Sequence, residues 1–135
     1  MDIIVIQAQG KVPATVIRTR GDIDHASFEL LIDRAAEAYR AGARRFVLDL
    51  GGTGYISSSG LIALHSIARM LQGEGTVDLE AGWQAIRGLS SSQGQTQAHL
   101  KLVNVQPRVA QVLDMAGLAE YFPSYPDEQS ALDSF

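Results

Sequence analysis

The stretch from Phe46 to Leu71, FVLDLGGTGYISSSGLIALHSIARML, constrains the fold more than any other part of the chain. Phe46 to Leu50 is a short apolar run with one acid, Asp49, near its end. Its lack of alternation suits a strand covered on both faces. Gly51 to Ser57 is rich in glycine, which suits a tight connection. From Ser58 onward the apolar residues recur at helical spacing, with Leu61, Leu64, Ala68 and Leu71 on one side. The pattern predicts a strand, a tight loop and a helix over about Ser59 to Leu71. Such a unit points the first N–H groups of the helix, which carry partial positive charge, at the loop. Ser57, Ser58 and Ser59 stand at that end.

The rest of the chain fits around this unit. Ile3–Ala8 and Ala14–Thr19 read as strands joined by a turn at Gln9-Gly10-Lys11, an antiparallel hairpin. Gly21-Asp22-Ile23-Asp24 breaks the second strand. A helix follows, with Asp24 or Ser27 as its N-cap and Phe28, Leu31, Ile32, Ala35 and Tyr39 on its buried stripe. Gly42 fits its C-terminal end. Ile62, Ile67 and Met70 make the next helix apolar beyond one stripe. Either it packs deeply in its own domain or part of its outer face meets a partner.

Residues 72–98 carry glycines, serines and glutamines; Leu79–Leu89 reads as a short helix and Ser90–Gln97 as mobile loop. Leu100–Val105 reads as a strand, and Pro107 opens a helix with Val109, Val112, Leu113 and Ala116 inward and Gly117 at its end. Tyr121–Tyr125 reads as an edge strand, flanked by Pro123 and Pro126, and Asp127–Leu132 as a last turn or two of helix. The order β-β-α-β-α-β-α-β-α predicts one α/β domain, with a mixed, mostly parallel sheet of four or five strands opened by a hairpin.

Charge and composition narrow the function. The chain of 135 residues is 46% hydrophobic, enough for a core, and its net charge of −4 with scattered basic residues argues against binding nucleic acid. With no cysteine there is no disulfide, thiolate nucleophile or cysteine metal site. No apolar run approaches the roughly 20 residues that span a bilayer, so neither a membrane anchor nor a signal peptide is expected, and a cytoplasmic protein is the default.

Several segments together resemble the STAS domain of anti-sigma-factor antagonists. Gly21-Asp22-Ile23-Asp24 is similar to that family's Gly-x-hydrophobic-Asp turn, and Phe46–Leu50 to its central strand ending in Asp-Leu. Ile56-Ser57-Ser58-Ser59-Gly60-Leu61 resembles its hydrophobic-Asp-Ser-Ser/Thr-Gly-Leu signature, and Leu102–Leu118, a strand then a helix ending Ala-Gly-Leu, is also similar to the family. The likeness covers nearly all of the chain except about residues 73–98, which stand as an atypical insertion. It implies a non-enzymatic protein without cofactor or metal. It also implies a partner, an anti-sigma factor with a histidine-kinase-like ATPase fold, which phosphorylates the serine at the Ser58 position, and a serine phosphatase that reverses this. Partner contacts are expected from Asp22, Asp24, Tyr55, Ile56, Ser57, Ser59 and Gly60.

Each of these residues has a plainer role open to it. Asp22 and Asp24, on a loop expected beside Ser58, suit turn and cap duty as well as partner contact. Tyr55 and Ile56 are either exposed contacts or loop anchors, and Asp49 is either an internal acceptor or a functional acid. Ser57 stands where the family usually has Asp, which removes a charge beside the acceptor hydroxyl. That change leans slightly toward a second reading, a constitutive interaction or scaffold module of a signalling or transport assembly without a phosphoswitch. Enzymatic readings find less support. Ile56, two before Ser58, breaks the Gly-x-Ser-x-Gly elbow of a serine hydrolase, and His25, His65 and His99 lie in no catalytic motif. Gly51-Gly52-Thr53-Gly54 lacks the Gly-Lys-Ser/Thr of a phosphate-binding loop, and paired metal ligands are missing.

Overall fold

The computed structural model describes residues 1–71 and 99–135. The expected helix at Leu79–Leu89 and loop at Ser90–Gln97 lie outside the described residues.

The described chain runs β1 (Asp2–Gln9), β2 (Pro13–Arg20), α1 (Phe28–Arg40), β3 (Phe46–Gly52), α2 (Ser58–Leu71), β4 (Leu100–Val103), α3 (Pro107–Met115), β5 (Ser124–Tyr125) and α4 (Glu128–Asp133). The strands form one sheet in the order β1-β2-β3-β4-β5. Only β1 and β2 are antiparallel; β2, β3, β4 and β5 pair in parallel. The mixed sheet opened by a hairpin is the expected architecture.

Strand alternation divides the core between the two faces. Ile17, Phe46, Leu48, Leu50, Leu100 and Leu102 join the buried residues of α1, α2 and α3 in the main cluster. Val16, Val47 and Val103 face the other way and meet Ala131 and Leu132 of α4. Thus α4 alone among the described helices covers the second face. Phe46, Val47, Leu48 and Leu50 are buried, so β3 is covered on both sides as its sequence suggests. α2 is buried on nearly all sides, with ten of its residues enclosed, so its excess of apolar residues reflects deep packing.

Two helix ends follow their glycines closely. Gly42 has φ +112°; its N–H donates to Tyr39 O and that of Ala43 to Ala38 O. Gly117, at φ +77°, repeats the pattern with Asp114 O, while Leu118 N–H donates to Leu113 O and its side chain enters the core. This paired bonding requires a left-handed residue, which glycine adopts without strain.

Several boundaries differ from expectation. β3 continues to Gly52, because Gly52 pairs with Arg20 after a register shift in β2. β4 stops at Val103 rather than Val105, where Asn104 turns the chain with φ +55°. The last strand is Ser124–Tyr125, not Tyr121–Tyr125. Tyr121 and Phe122 instead fold back on Leu118 through backbone bonds and bury their rings edge to face in the core. α1 starts at Phe28, and neither expected cap satisfies its first turn in the usual way. Asp24 Oδ1 accepts from Ala26 N–H, and the Ser27 hydroxyl donates to Asp22 O while accepting from Asp24 N–H. The two side chains lock the preceding turn rather than the helix.

Candidate functional site

The loops after β2 and β3 leave the sheet side by side and are tied together. Gly21 N–H donates to Gly52 O (2.9 Å), Ile23 N–H to Tyr55 O (3.1 Å) and Ser57 N–H to Ile23 O (2.9 Å). Ile23 and Ile56 therefore form a one-residue parallel bridge beyond the sheet, both fully buried. The loop that carries Asp22 and Asp24 lies beside the loop that leads into the serine cluster, as expected. Ile56, however, is an anchor and not an exposed contact: its side chain belongs to the main core.

Gly60 makes the next step possible. A Cβ there would overlap Ile56 Cγ1 and lie 2.7 Å from Ile23 O. Without one, the first turn of α2 settles directly on the bridge. Gly60 is itself buried, so it shapes the surface from below.

Ser57 ends the loop and caps α2. Its hydroxyl accepts from Gly60 N–H (3.3 Å), and its carbonyl accepts from Leu61 N–H (3.0 Å). Serine and aspartate are equivalent N-caps within a few tenths of a kcal/mol. The substitution for the family's Asp therefore keeps the helix start and removes only the charge. Ser58, the first helical residue, is exposed. Ser59 is half-buried, with its hydroxyl 3.5 Å from His25 Nδ1. His25 in turn stacks on Phe28, with ring centroids 5.6 Å apart.

Tyr55 projects beside the serines at 38% exposure, with the Arg108 guanidinium 5.5 Å from its ring centroid. Asp22 is exposed, and its Oδ1 lies close to the outer side of Gly54. Asp24 is half-buried, its Oδ1 already accepts from Ala26 N–H and its own N–H donates to the Ser27 hydroxyl, so turn duty accounts for it. The exposed residues of the site are thus Asp22, Tyr55 and Ser58, with Ser57 and Ser59 half-buried.

Three supports escaped the sequence reading. Thr53 is fully buried and shares a 2.6 Å hydrogen bond with Thr19 Oγ1, nailing the loop to β2. Gln106 Nε2–H donates to Gly51 O (2.8 Å) from the start of α3. Asn104 Nδ2–H donates to Asp49 Oδ1 (3.2 Å), which also accepts from Gly51 N–H (2.9 Å). Asp49 is therefore an internal acceptor. Burial, and then Glu128 alongside, push its carboxyl above the ordinary range. Glu128 is pulled the other way, to about 2, first by the Arg18 guanidinium and then by Asp49. Arg18 grips Glu128 with two bonds of 2.7 and 2.8 Å.

No cluster of three or more metal-binding side chains occurs among the described residues, and no described helix is long and apolar enough to cross a membrane. The site presents hydroxyls, one carboxylate and one aromatic ring on a braced platform. That suits recognition by another macromolecule and covalent change at an oxygen.

The family model described as "Mlab, STAS domain" matches residues 6–89, and the model described as "STAS domain" matches residues 80–131. The chain is 28% identical over 116 residues to "Putative anti-sigma factor antagonist BtrV" of Bordetella bronchiseptica, covering 86% of this chain and 81% of that protein. Among solved structures, an anti-sigma factor antagonist from Mycobacterium paratuberculosis aligns with a TM-score of 0.61 at 18% identity, covering 97% of this chain and 92% of the other. The phosphorylated form of the Bacillus cell fate determinant SpoIIAA aligns equally well, with a TM-score of 0.61 at 16% identity, covering 98% and 97%. With a family model spanning more than half its length, and a fold shared with these solved structures, the chain belongs to the STAS domain family.

Proposed function

We propose that this protein is an anti-sigma-factor antagonist switched by phosphorylation of Ser58. In its unmodified form it binds an anti-sigma factor with a histidine-kinase-like ATPase fold, which frees the sigma factor. Phosphate on Ser58 ends the association, and a serine phosphatase restores it. The observation that carries this reading is the exposure of Ser58 at the first position of α2, on a platform built from two tied loops. Asp22, Tyr55, Ser57 and Ser59 complete the contact surface; Gly60 and Ile56 hold it from beneath, and Asp24 holds the turn beside it. The stretch at 73–98 is read as an atypical insertion within this single domain.

Magnitudes favour release at the interface over any internal rearrangement. A phosphate adds about −1.5 to −2 charge at neutral pH. The N-terminus of α2 accommodates it locally, by about 0.3–1 kcal/mol, so the domain stays folded. Against a docked partner the same charge must lose water or face other acids, and like charges brought together cost several kcal/mol. About 3 kcal/mol already weakens binding more than a hundredfold.

The test mixes the protein with the candidate kinase and ATP and follows its mass. One phosphate is expected, absent in Ser58→Ala, and Ser58→Asp should lose a kinase-like partner that the wild type retains. A phosphate placed elsewhere, or one on Ser58 that leaves partner affinity unchanged, refutes the reading. Ser57 in place of the usual Asp, together with the match to the model described as "Mlab, STAS domain", favours a second reading. In that reading the same surface is a constitutive docking module of a larger assembly, and Ser58→Asp leaves partner capture intact.

A further inference from the structure

The two edges of the sheet are unlike. β5 is two residues long and lies between Pro123 and Pro126, the kind of short, proline-flanked edge that resists strand addition. β1 is eight residues long and pairs with β2 without a bulge. Its sequence, DIIVIQAQ, has no lysine, arginine or proline. Ile4 is 54% and Val5 37% exposed, on opposite faces of the strand. Among the described residues, one side chain guards this edge: Arg34 Nη2–H donates to Ile3 O.

The backbone groups on this edge can be assigned. Thr15 N–H donates to Arg45 O, so the odd-numbered residues of β2 face β3. Its even-numbered residues, Ala14, Val16 and Arg18, then bond to Ala8, Ile6 and Ile4, their register partners in β1. The N–H and C=O groups of Ile3, Val5 and Gln7 point outward. The Arg34 bond to Ile3 O agrees with this assignment.

We infer that β1 is a self-association edge, on which a second copy of this chain adds its own β1 antiparallel about a twofold axis at Val5. The outward-facing residues then bond to one another: Val5 with Val5, and Ile3 with Gln7. This register keeps the same sheet faces aligned and sets Ile4 against Ile6 of the second copy, covering the most exposed isoleucine. Charge supports a like partner. Asp2 meets Ala8, its own cross-strand neighbour Arg20 balances it, and the two Asp2 side chains stand roughly 20 Å apart along the strands. Arg18, beside Ile4, is already paired with Glu128, whereas Arg34 is a cation at the seam: Ile3 O, which it holds, must take the incoming Gln7 N–H on its second lone pair. A strand of another protein would need this same neutral, apolar pattern; a second copy has it.

Equilibrium sedimentation across the micromolar range tests the inference. The wild type should pass from monomer to dimer, and Val5→Lys, which sets two cations on the axis, should weaken dimerisation at least a hundredfold, with an unchanged melting temperature at concentrations where the wild type is monomeric. The chain has no cysteine, so Val5→Cys gives a clean cross-link. Facing Cα atoms of a bonded antiparallel pair lie about 5.5 Å apart, within disulfide range. Mild oxidation should cross-link Val5→Cys rapidly, whereas Met115→Cys, 80% exposed but far in sequence from the seam, should stay largely monomeric. A monomer at every concentration overturns the inference. So does a dimer untouched by Val5→Lys, or cross-linking no faster at Val5→Cys than at Met115→Cys. Should Val5→Lys fail to fold, the cross-linking comparison decides alone.

Discussion

The Thr19–Thr53 pair offers the sharpest test of how the serine platform is held. Both side chains are buried, at 3% and 0% exposure, and their hydroxyls lie 2.6 Å apart. Thr19 Oγ1 has a second, longer partner in Asp49 O at 3.4 Å. Valine matches threonine in shape and β preference, so replacement changes the hydroxyl and little else. Thr19→Val strands the Thr53 hydroxyl in a dry site, and an orphaned buried polar group costs about 1–3 kcal/mol. Thr53→Val leaves Thr19 with its weak second bond, so about 1 kcal/mol is expected there. The double substitution removes both groups together and should be nearly neutral. The resulting non-additivity, at least about 1 kcal/mol, is what a double-mutant cycle by urea denaturation would read. Two single effects that simply add would refute the coupling, and with it the idea that this bond anchors the loop.

Three further outcomes follow from the same site. Gly60→Ala gains about 1 kcal/mol of helix propensity but forces a methyl against Ile56 and Ile23 O, and overpacking of about 1–3 kcal/mol should exceed the gain; thermal melting would show a net loss, and an increase would contradict the packing. Ser57→Asp keeps the cap and adds a carboxylate at the helix N-terminus, so stability should rise by about 0.3–1 kcal/mol in low salt, a gain that denaturation in added salt should diminish. Because Glu128 is held near 2, below its ordinary 4.5, its stabilising share is complete above pH 4.5 and is lost as pH falls toward 2. Asp49, raised, acts oppositely: its favourable share belongs to the protonated form and fades as pH rises through its folded value. The melting-temperature gap between wild type and Glu128→Gln should therefore narrow on acidification from pH 4.5 toward 2, and a gap that widened would reverse the assignment.

Sequence periodicity carried the elements well because it depends on which side of a strand or helix is covered. The stripe of α1, the doubly covered β3 and the glycines at 42 and 117 are all local signals with a direct mechanical meaning. The serine cluster was also legible: a hydroxyl at a helix start must lie near the surface unless something covers it. What could not be seen was whatever depends on register between distant segments. Thr53 looks like any loop threonine until β2 and β3 align it with Thr19. Gln106 and Asn104 look like turn residues until parallel pairing brings them to Gly51 and Asp49. Arg18 and Glu128 lie at opposite ends of the sequence. Ile56 carried no mark of its burial, since one isoleucine among polar neighbours serves equally as a lure or an anchor.

Under the proposed switch, the bridge between Ile23 and Ile56 has a consequence for how Ser58 would be read. Two stretches more than thirty residues apart in sequence become one surface only after the sheet has formed. A kinase that touches both recognises a shape rather than a string of letters. A peptide carrying only Ser57-Ser58-Ser59-Gly60 would present the hydroxyl without its address. The mark, once made, would then certify that the molecule bearing it had finished folding.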